Sequence, residues 1–174
     1  MLVMQGLETQ RLELRLPVSA DAAPLMDIHL DPLAKPHVTM LGAPSGLLAA
    51  WRNIALMVGH WQLRGYGQWT VIEKSTGEVI GRVGLWHPDG WTEIELGWII
   101  KPSRWGNGLA TEACAGALAW TWENVQTDHI VSLIHPANSA AIRVAEKIGA
   151  RFEREEVLEG KQMHVYGVHR PIRA

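Results

Sequence analysis

Where EIELGWII runs into KPSRWGNGLATEACAGALAW, Gly106 and Gly108 stand two residues apart at the head of an alanine-rich segment. Glycines there remove side chains, so backbone N–H groups can come close to a ligand. A helix start leaves up to four N–H groups without partners and carries partial positive charge. Its natural guest is an anion, most often phosphate. Just upstream, Glu93 and Glu95 lie two apart and share one face of a strand, where a carboxylate could take a proton from a nucleophile. Both could equally be solvated strand charges. His87 and His135 end strands and read as capping or surface groups as readily as reactive ones. His164 and Tyr166 could line a pocket or pack in the core. Cys114 sits one helical turn from Ala110 and Leu118, which suits a buried small hydrophobe better than a nucleophile. No His/Asp/Glu group has metal-ligand spacing along the chain, so no metal is expected.

The elements that position these groups follow from patterning. Leu12, Leu14 and Leu16 alternate with charged residues, giving a strand over 7–16 with one wet face. Ser19 or Asp21 can cap a helix to about Leu30. Residues 31–44 carry three prolines and a glycine and read as loop. Ser45 can cap a second helix to about Leu63, with Leu47, Leu48, Trp51, Ile54, Ala55 and Val58 at helical spacing. QWTVIEK and EVIGRVGLW form a hairpin, followed by a strand over 91–100. A helix over 106–124, a strand over 130–135, a helix over 138–148 and a closing strand pair, 151–159 and 162–169, complete the chain. Seven strands and four helices in this order predict one α+β domain over 1–174 (α/β by some schemes), a mixed sheet covered by helices.

Composition narrows the function classes. Sixteen basic and eighteen acidic residues give a formal charge of -2, without the clustered basic excess of a nucleic-acid binder. No apolar run is long enough to span a membrane. The N-terminal MLVMQGLETQRLELRL lacks the form of a signal peptide, so a cytoplasmic protein is expected. A single cysteine leaves no internal disulfide. Nine tryptophans against two tyrosines and one phenylalanine suggest that large flat side chains fill wedges beside small ones.

Three readings compete at Gly106–Thr111. One is a tight strand-to-helix turn with no ligand. A dinucleotide fold would want a third glycine where Thr111 stands, and an earlier strand. A P-loop would need Gly-Lys-Ser/Thr, which is absent. The third reading is a coenzyme A site. PSRWGNGLATEA resembles motif A of the GCN5-related N-acetyltransferases (GNAT), in the branch named after the ribosomal-protein acetyltransferases RimJ and RimL. LETQRLELR, GEVIGRVGL, EIELGWII and NSAAIRVAEKIGARFER resemble that branch's opening strand, central hairpin, fourth strand and final helix and strand.

The resemblance implies the GNAT fold, with its fourth and fifth strands splayed apart, and acetyl-CoA as cosubstrate without a metal. Backbone N–H groups from Trp105 through Gly106, Asn107, Gly108, Leu109 and Ala110, with Thr111 next, would hold the pyrophosphate. The backbone of Ile99 and Ile100 would pair with the pantetheine arm, and Asn138 would contact it. Glu95 aligns with a glutamate common in the branch and is the candidate base, through water, with Glu93 the weaker alternative. Ser103 stands where the family often has Gln or Arg. Ala145 and Ala141 stand where a proton-donating Tyr or Ser is common, leaving protonation of the leaving thiolate unassigned. Residues 31–44 and 60–68, with Trp61, Tyr66, His37 and Met40, should shape the acceptor pocket. The implied reaction is direct acetyl transfer to a primary amine of a small molecule. A protein N-terminal α-amine is the alternative acceptor, and a non-catalytic acyl-CoA sensor is the alternative of another class. Implied partners are acetyl-CoA and the amine, with a homodimer admitted and neither nucleic acid nor membrane.

Overall fold

The computed structural model describes residues 5–37, 44–158 and 160–172. One eight-stranded sheet runs β1 (Leu7–Glu8), β2 (Leu12–Arg15), β3 (Gln68–Glu73), β4 (Glu78–Trp86), β5 (Glu95–Ile100), β6 (His129–Ile134), β8 (Lys161–His169) and β7 (Arg151–Leu158) in spatial order. Every neighbouring pair is antiparallel except β5–β6. The helices are α1 (Ala22–Leu30), α2 (Leu47–Arg64), α3 (Leu109–Asn124) and α4 (Ser139–Lys147). No helix among the described residues is long and apolar enough to cross a membrane.

The extra strand has a physical cause. The expected strand over 7–16 is broken at Thr9–Arg11, which turns to reach the first turn of α3. Thr9 Oγ1 donates to Glu112 Oε1 at 2.6 Å, and the Arg11 N–H donates to the same oxygen at 2.7 Å. Arg11 Nε meets Glu112 Oε2 at 2.7 Å. Burial pushes the Glu112 carboxyl up, but these donors together hold it below the ordinary glutamate range. The strand expected from residue 91 starts only at Glu95, because Trp91–Ile94 bend before joining the sheet.

Successive residues of β5 face opposite sides of the sheet. Ile100 packs with α3, and Ile99 packs against the cluster between α1 and α2. The small α3 residues Ala113, Cys114 and Ala117 are fully buried, so the helix axis lies close to the sheet. Burial pushes the Cys114 thiol far above its ordinary range. Ellman's reagent should therefore find no reactive thiol in the native protein and one after denaturation.

In α2 the buried stripe is Ala50, Ile54, Met57 and Trp61, whereas Leu47, Leu48, Trp51, Ala55 and Val58 are exposed. The helix is apolar on nearly every side, so spacing alone could not choose its inward face. Tertiary contacts set it: Trp61 Nε1 donates to Gln68 O at 2.8 Å, and its ring fills the space over Gly67. Gly46 rather than Ser45 caps this helix. Three of the nine tryptophans, Trp61, Trp69 and Trp120, meet edge-to-face with centroids 5.0–5.5 Å apart. This arrangement suits aromatic quadrupoles and fills the wedge between α2, β3 and α3.

Candidate active site

β5 and β6 pair only at Glu95↔Val131, beside the Val131 N–H to Ile94 O bond of 3.0 Å. Ser132 Oγ donates to Leu96 O at 2.8 Å, and beyond that point the strands part. A cleft of about 410 Å³ opens between them. Leu96–Ile100 form one wall and Ser132–His135 the other, with Arg104–Gly106 and Gly108–Thr111 at one end and α4 residues at the side. The open edge of β5 leaves backbone groups free to pair with an extended ligand.

At the end of the cleft the chain leaves β5 through a 3-10 turn, Pro102–Arg104. Arg104 holds that turn to the β3–β4 hairpin through Glu73 at 2.9 Å and Glu78 at 3.0 Å. Trp105 Nε1 donates to Ile100 O at 2.6 Å. Gly106 and Gly108 then adopt φ of 78° and 75°, a left-handed backbone that side chains resist. Arg11 Nη1 clamps Asn107 O at 2.9 Å. Among the described residues, no hydrogen bond within the protein is donated by the backbone N–H groups of Gly106 through Thr111. The first intrahelical donor is Glu112, to Gly108 O at 3.0 Å. These unpartnered N–H groups at a helix start make a cradle able to receive an anion, next to an open strand edge.

Glu95 sits where the strands part. It is 3% exposed and lines the cleft. Trp91 Nε1 donates to its Oε2 at 3.0 Å, and the Leu133 N–H also donates to its carboxylate. Burial outweighs these donors and the Arg82 charge, pushing its pKa up to about 7. The carboxyl therefore changes protonation state near neutrality, as a general base requires.

Arg82 is a cation buried beside the cleft. Its Nη1 donates to Gln68 Oε1 at 2.6 Å and its Nε to His29 Nε2 at 3.2 Å. His29 Nδ1 donates to Leu25 O at 2.6 Å. Since an arginine N–H can only donate, His29 must be neutral here. Burial and the Arg82 charge push its pKa down to about 4. Arg82 itself is lowered by burial to about 10 and stays charged.

The sequence-expected groups divide. Ile99, Ile100, Trp105, Gly106, Gly108, Leu109, Ala110, Thr111, Asn138 and Glu95 all line the cleft. Asn107 lies outside the lining, with its carbonyl committed to Arg11. Asn138 Oδ1 caps α4 by accepting from the Ala141 N–H at 3.1 Å, and its amide N–H groups take no part in that cap. Glu93 stands away from the cleft, paired with Arg154 and with His129 Nδ1 at 3.3 Å. His135 lines the cleft and accepts from the Ala137 N–H at 3.1 Å. Ala145 is fully buried beside Ile134 and Tyr166. Trp61 belongs to the core and not to a pocket, whereas His37 lines the cleft and Met40 lies outside the described residues. Tyr66 joins His87 and His60 in a linked group, and His60 stacks on Trp86, the cross-strand partner of Glu95. Sequence reading passed over Arg82, Trp91 and Ser132. The lone arginine in EVIGRVGLW and the lone serine in IVSLI were the available signals.

The acetyltransferase (GNAT) domain family matches residues 11–151, and the chain belongs to it. It is thus an N-acetyltransferase domain. YkkB of Bacillus subtilis is 36% identical over 107 residues, which span 59% of this chain and 62% of that protein. A solved acetyltransferase from Agrobacterium tumefaciens is 29% identical, with a TM-score of 0.82, covering 95% of each chain. RimJ of Mycobacterium smegmatis, solved in complex with CoA-disulfide, shares the fold at 19% identity, with a TM-score of 0.79 over 97% of this chain and 88% of that one.

Proposed function

We propose that the domain transfers the acetyl group of acetyl-CoA to a primary amine of a small molecule, with Glu95 accepting the amine proton directly or through one water. The observation that carries this is the Glu95 carboxyl, buried where β5 and β6 part and poised near neutrality at about 7.

The cradle from Gly106 to Thr111 would take the pyrophosphate, and the open edge at Trp98 and Ile100 the pantetheine arm, since the Ile99 carbonyl faces β4. A neighbour with this fold was solved with a CoA-disulfide, which supports CoA chemistry for the fold. The thioester then ends beside Glu95. An ammonium must lose a proton before its nitrogen can attack the carbonyl carbon, and Glu95 takes that proton. The C–N bond forms, and a backbone N–H on the open edge of β5 stabilises the charge gathering on oxygen. The C–S bond breaks, the nitrogen sheds its second proton, and the leaving thiolate takes up one proton in exchange. Neither Ala141 nor Ala145 can give it. Ser132 and His135 are the protic side chains on the facing wall.

The near-balanced charge offers no broad docking face for an extended acidic or basic partner. Thiol release with acetyl-CoA should be rapid with a subset of small aromatic or aliphatic amines and slow with peptide N-termini. Faster turnover of peptides would move the acceptor to a protein α-amine. Acetyl-CoA binding without thiol release from any amine would make the domain a sensor.

A further inference from the structure

On the sheet edge remote from the anion cradle, three ligand-type side chains converge from three strands. His129 opens β6 and His169 closes β8, and the antiparallel register sets them directly opposite each other, with rings stacked at 4.5 Å. Directly opposed residues project from the same face of a sheet. Glu153 comes from β7, where the register against β8 shifts between Phe152 and Arg154. A bulge of this kind re-aims the side chain at the irregularity. Here it lays the Glu153 carboxylate over Gly167. A Cβ built on Gly167 would fall 1.8 Å from Glu153 Oε1 and 2.6 Å from His129 Nε2. The bare backbone of Gly167 is what lets these atoms meet.

We propose that His129, Glu153 and His169 form a binding site for one divalent transition-metal ion of the zinc class, with water in the remaining position. Glu153 Oε1 lies 2.9 Å from His129 Nε2 and 3.8 Å from His169 Nε2. One ligand atom from each residue lies within 4.8 Å of the others. Tetrahedral zinc with bonds of about 2.05 Å sets its ligand atoms about 3.3 Å apart, a spacing the two measured edges bracket. Imidazole nitrogen and carboxylate oxygen are the donors such borderline ions accept.

The surroundings favour a cation. Glu93 Oε1 lies 3.3 Å from His129 Nδ1, close enough to take the Nδ1 proton when an ion occupies Nε2. A carboxylate behind a histidine ligand is the usual supporting arrangement at zinc. His129 Nε2 and Glu153 Oε1 are hydrogen-bonded at 2.9 Å, and a bound ion would take the place of that bridging proton. The other Glu153 oxygen meets Arg154 Nη1 at 3.5 Å, which leaves Oε1 to the histidines. Glu93, Glu153 and Glu156 together outnumber the one Arg154 charge they share.

The experiment uses untagged protein stripped with a chelator, titrated with Co²⁺ and followed by visible absorption, with Zn²⁺ as competitor. One equivalent of Co²⁺ should develop the bands of a low-coordinate site, and Zn²⁺ should remove them. His169→Ala should weaken Co²⁺ binding at least about ten-fold. That side chain is 74% exposed, so the fold survives its loss, and the thermal shift given by acetyl-CoA should not change. Gly167→Ala should weaken binding too, by displacing Glu153 and His129. Absence of a stoichiometric Co²⁺ band would overturn the site and leave these residues an ion-pair network. Unchanged Co²⁺ affinity in His169→Ala would overturn it equally, by placing the ion elsewhere.

Discussion

Glu95→Gln should lower turnover by roughly 10²–10⁴-fold while leaving acetyl-CoA binding nearly unchanged, the range expected for loss of a positioned general base. Glutamine keeps the size of the side chain and can still accept from Trp91 Nε1, but it cannot take a proton. The wild-type rate at limiting amine should rise with pH through about 7, as the carboxyl ionises, then level off. The variant should lack that rise. A variant that kept the wild-type rate and pH profile would remove Glu95 from the chemistry.

The same substitution should stabilise the fold at high pH. The Glu95 carboxyl has a folded pKa of about 7 against an ordinary value of 4.5. Between these values the native state binds more protons than the unfolded state, so this group's contribution to stability falls as pH rises from about 4.5 to about 7 and is flat above. The shift corresponds to roughly 3 kcal/mol at pH 8. Glu95→Gln should therefore raise Tm by several degrees at pH 8 and little at pH 4. Loss of rate with gain of stability is the signature of a residue kept for chemistry.

Gly108→Val should abolish the thermal stabilisation by acetyl-CoA. Saturating ligand at ~100 times its Kd adds ~2.7 kcal/mol, worth roughly 5–10 °C in a domain of this size. Gly108 holds φ 75° as the residue that precedes α3, a conformation costing an L-residue about 1–2 kcal/mol. Valine, branched at Cβ, would drive the turn out of it and scatter the N–H groups from Gly106 to Thr111. A built Cβ meets only Arg11 Nη2, at 3.7 Å, so the protein should still fold. Scanning calorimetry with and without acetyl-CoA measures the effect. A full ligand shift in the variant would show that the cradle is not where the pyrophosphate binds.

Local chemistry was legible where it depends on consecutive residues. The glycine pair, the alanine-rich helix behind it and the strand carrying Glu95 are contiguous, and backbone conformation there follows from residue type. The hairpin β3–β4 and the closing pair β7–β8 were legible for the same reason. Long-range demands were not. The break in the first strand exists because Glu112, a hundred residues on, draws Thr9 and Arg11 onto α3. The inward face of α2 was hidden because that helix is apolar on nearly every side and only the docking of Trp61 selects one.

By itself the sequence determined that a helix start free of side chains would follow a strand carrying Glu95, since steric freedom and strand period are properties of the residues in order. The family resemblance favours Glu95 over Glu93, and the tertiary structure supplies the physical difference between them. Strand period alone leaves Glu93 and Glu95 alike, but the bend before β5 sends Glu93 to Arg154 and His129, while the parting of β5 and β6 buries Glu95 at the cleft. Burial, not sequence position, moves a carboxyl to about 7. Strand pairing likewise brings His129, Glu153 and His169 within ligand distance, a grouping that spacing along the chain does not contain.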